Sequence, residues 1–309
     1  MGVYEKKYPD FLSITEFARF VELKDLSART KQSYLANVVA ISRHCQLDPA
    51  VLIEREVADF LLMLRTVRNY APASMALMIV GLRTFFRDHL GRDWALWKTI
   101  RVRRPESLPW VLSREEVGAV IAAARLKRFR VLFTFIYHCG LRLGEAIRLA
   151  PSDIDSEALR IHVRNGKGGK DRYVPITAGM EKQLRDFCAL HGNKQWVFPG
   201  LGSGWRKLNM KAEQAAQLSA RHISSAGVQE AFQRCVADSG IGKRATAHTL
   251  RHCYATHLLE AGIALPLISK YLGHSSIKTT VVYTHLTSVS EDRTREALEV
   301  LHSGLRKKI

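Results

Sequence analysis

The sequence has no apolar stretch approaching the roughly 18 residues needed to cross a bilayer. No signal-peptide core follows its opening Met1-Gly2-Val3-Tyr4-Glu5-Lys6-Lys7, so a cytoplasmic location with no membrane partner is expected. Cysteine is scarce and unpaired. Cys45, Cys139, Cys188, Cys235 and Cys253 are an odd, scattered set with no Cys-x-x-Cys, which argues against a disulfide framework and a zinc ribbon. Three of them directly follow a histidine (His44, His138, His252), but the wider metal-ligand spacing is missing and they read as small thiols packed on helices. A Gly-x-x-x-x-Gly-Lys-Ser/Thr loop is also absent, which excludes the commonest ATP cradle. Without clustered carboxylates to hold Mg²⁺, a metal-dependent nuclease is disfavoured. Neither a metal nor an organic cofactor is expected, and there are no internal repeats.

Acidic residues are short as well. Against 47 Lys and Arg stand 29 Asp and Glu, leaving a formal net charge of +18 in 309 residues. Such a field costs self-repulsion and normally persists where a polyanion neutralises it, so nucleic acid is the first partner to consider. The basic residues cluster in Arg125-Leu126-Lys127-Arg128-Phe129-Arg130 and in Arg101-Val102-Arg103-Arg104. Arg101, Arg103 and Arg104 are candidate phosphate contacts. Contacts of this kind position a protein without reading bases, so no target sequence is legible.

With 47% apolar residues the chain can bury two ordinary cores. Its first hundred residues carry helical periodicity, as in Thr30 to Cys45, where Tyr34, Leu35, Val38, Val39 and Ile41 recur at three- and four-residue steps. Helices are also expected over Val57 to Arg68 and over Ala73 to Leu90, with Pro72 suiting a first turn and Gly91 following the end. Residues 101–109 break the rhythm with two prolines and three arginines. The reading is a helical domain over 1–104, a linker over 105–109 and a second domain over 110–309. Ser113 and Glu116 stand in capping-box spacing at the start of the next helix. The one convincing β-hairpin alternates Leu159, Ile161 and Val163 with Arg160, His162 and Arg164, then turns through Gly166-Lys167-Gly168-Gly169-Lys170 into Tyr173-Val174-Pro175-Ile176. Residues 201–225 read as a surface connection or a loose basic helix.

Four segments of the second domain carry candidate chemistry. In Cys139-Gly140-Leu141-Arg142-Leu143-Gly144-Glu145, Gly140 can end one helix and leave Arg142 at a helix junction. The hairpin turn offers Lys167, with Lys170 and Arg172 as competitors, to a DNA backbone or for proton donation. His248 and Arg251 lie three residues apart on one helix face and could grip one phosphate. In Leu272-Gly273-His274-Ser275-Ser276, Gly273 suits a helix C-terminus and Ser275 or Ser276 a helix cap, and Tyr283 follows nine residues after His274. Taken singly, each has an ordinary reading: a salt-bridged arginine, a solvated turn lysine, a chance His-x-x-Arg, a packed tyrosine.

Taken together, in the order Arg142, Lys167, His248, Arg251, His274, Tyr283, the segments resemble the tyrosine recombinase (phage-integrase) family. The resemblance spans nearly the whole chain and is carried by Gly140-Leu141-Arg142, Gly166-Lys167-Gly168, His248-x-x-Arg251-His252, Leu272-Gly273-His274 and Tyr283-Thr284-His285. It implies a mainly α fold with a small β-hairpin or sheet. A helical core-binding domain and a mixed α/β catalytic domain would form a C-shaped clamp on double-stranded DNA bearing a specific target site. It also implies a homo-tetramer on DNA, with a C-terminal helix over Arg293 to Leu305 packing on a neighbouring protomer.

The expected function is site-specific recombination through a 3′-phosphotyrosyl link. Attack by a phenol adds negative charge to the nonbridging oxygens and expels a poor alkoxide. Arg142 and Arg251 would neutralise the phosphorane. Lys167 would protonate the 5′-oxygen, and His248 and His274 would bond the phosphate or assist proton transfer from Tyr283. Glu145 would orient its neighbours, and neither ATP nor metal would be required. The competing readings are a type IB topoisomerase-like relaxing enzyme and a noncatalytic DNA-binding protein of the same fold.

Overall fold

The computed structural model describes residues 11–101, 109–164, 171–202, 205, 209–274, 276–286, 295 and 298–299. The chain divides into two compact units, Met1–Ser107 and Leu108–Ile309. Among the described residues no helix is long and apolar enough to cross a membrane.

The first unit is helical: α1 (Leu12–Glu22), α2 (Ala28–Cys45), α3 (Glu54–Thr66), α4 (Pro72–Arg83) and α5 (Leu96–Thr99). Local chemistry sets their ends. The Ser27 hydroxyl accepts from the backbone N–H of Thr30 at 3.2 Å to cap α2, and Pro72 opens α4, where its missing N–H costs nothing. α4 runs on into a π-helical turn, Thr84–His89, so the single long helix expected from the sequence contains a change of pitch. Phe17, Val38, Ile41, Leu82, Phe85 and Phe86 are buried in one core. Each such side chain contributes about 1.5–3 kcal/mol on leaving water.

In the second unit follow α6 (Arg114–Ala122), α7 (Lys127–Cys139), α8 (Leu143–Ala146), α9 (Ala178–His191), α10 (Ala212–Gln217), α11 (Ser225–Asp238), α12 (Ala247–Glu260), α13 (Leu265–Leu272) and α14 (Lys278–Val281). A short 3-10 turn, Val282–Leu286, comes after α14. Ser113 and Glu116 close the expected capping box, at 3.2 and 2.7 Å. The hairpin pairs β2 (Arg160–Val163) with β3 (Arg172–Pro175), Ile161 opposite Val174. A two-residue strand, β1 (Ile154–Asp155), adds a third rung through Ile154 and Ile161. It is too short for alternation to reveal in the sequence. α7 and α12 pack together at the centre, burying Phe133, Phe135, Ile136, Leu250 and Cys253.

One expectation changes. Ile277 occupies the N-cap position of α14 and no side chain caps that helix; Ser275 lies outside the described residues, and Ser276 instead gives its carbonyl to the N–H of Thr279 at 3.2 Å. The loose region around 201–225 contains the short helix α10. The proposed terminal helix over 293–305 lies outside the described residues, apart from Arg295, Leu298 and Glu299.

Candidate active site

Two glycines make the floor of the site. Gly140 ends α7 at φ +59° and Gly273 ends α13 at φ +63°, a region glycine enters without steric cost. Both are also tightly covered. A Cβ on Gly140 would fall on the Tyr254 ring, and one on Gly273 would sit 2.9 Å from Arg172 Cδ. At these two helix ends the carbonyls of Gly140 and Leu272 face a common space.

Arg251 fills that space. It projects from α12, is 2% exposed, and donates to Gly140 O and Leu272 O, each at 2.7 Å. These bonds satisfy carbonyls that a helix leaves without intrahelical partners, and they use two of the five guanidinium N–H donors. Burial, with the like charge of Arg142 beside it, pulls its pKa down to about 9, so it remains a cation at neutral pH.

Arg142 stands at the N-cap position of α8 in an extended conformation. Its guanidinium donates to Glu145 Oε1 at 2.7 Å and to Gly273 O at 3.2 Å. Glu145 also accepts the Arg142 backbone N–H at 2.9 Å. Arg172 reaches the same carboxylate from β3 with two bonds, 3.1 and 2.7 Å, and gives its Nε–H to Tyr271 O at 2.7 Å. Burial pushes the Glu145 carboxyl up, but the bonds and charge of Arg172, joined by Arg142, outweigh it and hold the group at about 2. The sequence suggests Arg172 as a DNA-backbone contact. The structure buries it to 9% exposure and commits it to Glu145, so it supports the site from beneath.

Arg142 and Arg172 share the Glu145 carboxylate while Arg251 is bonded to backbone carbonyls, so among the described residues of this cluster three cations face one anion. The neighbouring histidines register them. Burial, then Arg251 and Arg142, lowers His248, and burial with Arg251, Arg142 and Arg172 takes His274 down to about 4. Both rings are therefore neutral at pH 7. His274 Nδ1 lies 2.8 Å from Thr280 Oγ1, which fixes that ring.

Tyr283 lies in the 3-10 turn after α14, only 3% exposed, packed with Tyr254, Ala255, Ile268 and Leu272. Burial raises its phenol above the usual tyrosine range, while Arg251 and Arg142 pull it back. Its hydroxyl lies 2.9 Å from His252 Nδ1, a residue quoted in the sequence motif but given no role there. His252 follows His248 by four residues, so the two share a helix face, and their rings meet edge to face at 4.7 Å. The sequence therefore already contained the signal for its place in the site.

Thus Arg142, Glu145, His248, Arg251, His274 and Tyr283 gather in one unit, with Arg172 and His252 added. Lys167 and Lys170 lie outside the described residues, as do Arg103 and Arg104. Arg101 is exposed in the first unit. Among the described residues, no three His, Cys, Asp or Glu side chains come together as a metal-binding set.

Residues 111–289 match the phage integrase family model, and residues 14–96 match the N-terminal SAM-like domain of phage integrases. The chain is 32% identical to the integrase/recombinase-type protein y4qK of Sinorhizobium fredii, covering 91% of this chain and 86% of that one. It is also 32% identical to the tyrosine recombinase XerA of Thermococcus onnurineus, covering 89% and 90%. A lambda integrase dimer bound to a COC′ core site shares the fold with a TM-score of 0.68 at 20% identity, over 88% of this chain and 93% of that one. The chain belongs to the phage integrase family of tyrosine recombinases and is a site-specific DNA recombinase.

Proposed function

We propose that Tyr283 is the nucleophile and that the chain cuts and rejoins DNA by transesterification. The Tyr283 oxygen attacks a backbone phosphorus and the bond from phosphorus to the 5′-oxygen breaks. This leaves a 3′-phosphotyrosyl link and a free 5′-hydroxyl, and a 5′-hydroxyl of another strand reverses the step. The bond energy is conserved, so ATP is not needed. The observation that carries this reading is the positive charge of Arg251 and Arg142 acting on a buried tyrosine hydroxyl. A phosphodiester is attracted by that charge, and its pentavalent state, with one more negative charge, is attracted more strongly.

Arg142 and Arg251 neutralise the nonbridging oxygens, and Glu145 and Arg172 hold Arg142 and the Gly273 turn in place. His248 and His274, both neutral, bond the phosphate. Lys167 protonates the leaving 5′-oxygen, and Lys170 contacts the backbone beside it. The arginines supply the charge that a metal supplies elsewhere. Residues 1–104 form a core-binding domain, with Arg101, Arg103 and Arg104 on phosphates, and residues 110–309 form the catalytic domain. The partner is double-stranded DNA with a specific target site, on which four copies assemble in the cytoplasm; support for the tetramer comes from a lambda integrase tetramer bound to a Holliday junction.

The test mixes purified protein with two distinguishable DNAs from its own locus, in EDTA and without nucleotide. A joint product supports the reading. Relaxation of supercoils with no joint product would instead indicate a topoisomerase-like resealing step, and dependence on Mg²⁺ would refute the metal-free mechanism.

A further inference from the structure

We propose that His252 is the general base of the cleavage step, taking the Tyr283 hydroxyl proton as the oxygen attacks and returning it when the strand is resealed. The inference rests on Tyr283 being the nucleophile. Its geometric basis is the 2.9 Å separation of His252 Nδ1 from the Tyr283 oxygen, within the roughly 2.6–3.2 Å reach a proton acceptor needs. The two other histidines of the site are placed differently. His274 directs its Nδ1 to Thr280, and among the described residues His248 makes no hydrogen bond to Tyr283.

His252 is also in the right protonation state to accept. Burial first, then His248 and Arg251, lowers it to about 4, so at neutral pH the ring is uncharged. The step requires the tautomer with the ring proton on Nε2, which leaves Nδ1 to accept from the phenol. The same surroundings make the base weak while the site is empty, and Tyr283 stays protonated because burial raises its phenol. A phosphate held by Arg142 and Arg251 screens the positive charge that opposes protonation of His252. The base therefore gains strength when DNA arrives, which confines attack to the loaded site.

The step balances. The bond between the Tyr283 oxygen and phosphorus forms and the bond to the 5′-oxygen breaks. The phenol proton moves to His252 Nδ1, leaving an imidazolium, and a separate proton from Lys167 goes to the 5′-oxygen. Rejoining runs both transfers backwards.

The test is single-turnover cleavage of nicked duplexes tiled across the DNA flanking the chain's own gene. In His252→Asn the amide oxygen replaces Nδ1 as a hydrogen-bond acceptor but cannot take a proton. We expect DNA binding to be retained and cleavage to fall by about 100-fold. Replacing Tyr283 by the more acidic 3,5-difluorotyrosine should recover at least about ten-fold in the variant and change wild type by less than about three-fold, because an acidic phenol needs less help. A duplex with a bridging 5′-sulfur, which leaves without a proton, should rescue Lys167→Ala and leave His252→Asn impaired. The proposal is overturned by His252→Asn cleaving within about three-fold of wild type, by equal responses of both proteins to the fluorinated tyrosine, or by sulfur rescue of His252→Asn. If His252→Asn does not bind DNA, His252→Gln takes its place in the same comparisons. A covalent adduct formed by Tyr283→Phe would instead sink the nucleophile assignment beneath it.

Discussion

Replacing Glu145 by glutamine keeps the size of the side chain and removes its charge. The wild-type carboxylate accepts four bonds, two from Arg172 and two from Arg142, all between 2.7 and 3.1 Å. Its side chain is 5% exposed and that of Arg172 is 7% exposed, so water cannot replace the lost charge. Holding the carboxyl at about 2 rather than its ordinary 4.5 is worth about 3 kcal/mol, at about 1.4 kcal/mol per pH unit. Removing one partner of a buried pair costs about 3–5 kcal/mol, which agrees.

For a unit of this size, 3 kcal/mol lowers the melting temperature by about 6–12 °C. Scanning calorimetry at pH 7 should show that loss in Glu145→Gln. The folded-state pKa is depressed, so this stabilisation is complete above pH 4.5 and disappears as the pH falls towards 2. The gap between variant and wild type should accordingly narrow across that window. A shift under about 2 °C at pH 7, or a gap that does not change with acid, would refute the view that this carboxylate holds the arginines together.

Other substitutions probe separate parts of the site. Arg251→Lys keeps the charge but cannot fork between Gly140 O and Leu272 O while also serving a phosphate; single-turnover cleavage should fall by at least about 100-fold, and a loss under ten-fold would contradict a bidentate role. Gly140→Ala should destabilise the second unit by about 2 kcal/mol or more in chemical denaturation, because positive φ and the Tyr254 ring both oppose a Cβ. Gly91→Ala in the first unit, at φ +73° with open space around it, should cost about 1 kcal/mol, and the reverse ranking would undermine the packing argument. Arg172→Met should leave DNA affinity within about two-fold in a gel-shift titration while lowering the melting temperature, since Arg172 is buried against Glu145; a large loss of affinity with unchanged stability would return it to the DNA surface.

Much of the site was legible because its parts obey local rules. Gly140 and Gly273 mark helix ends, Ser113 and Glu116 mark a helix start, and the three-residue spacing of His248 and Arg251 sets them on one face of α12. What escaped was a matter of partners across the fold. Arg172 stands on the same side of β3 as Val174, and the burial of alternate residues there follows the rule that identified the hairpin; a positive charge on the inward side could be believed only once Glu145 was known to meet it. His252 shares its helix face with His248, but its distance from Tyr283, 31 residues away, depends on how α13 and the following turn fold back on α12. The π-helical turn after Arg83 and the two-residue strand β1 are set by tertiary packing and leave no period in the sequence.

The central assignment is most directly tested by identifying the residue that becomes joined to DNA. Wild-type protein, trapped on a nicked duplex from its own locus, is digested with nuclease and trypsin and the nucleotide-bearing peptide is sequenced by mass spectrometry. The nucleotide should be on Tyr283, with no adduct formed by Tyr283→Phe; a nucleotide on any other residue, or an adduct that survives that substitution, would contradict the mechanism.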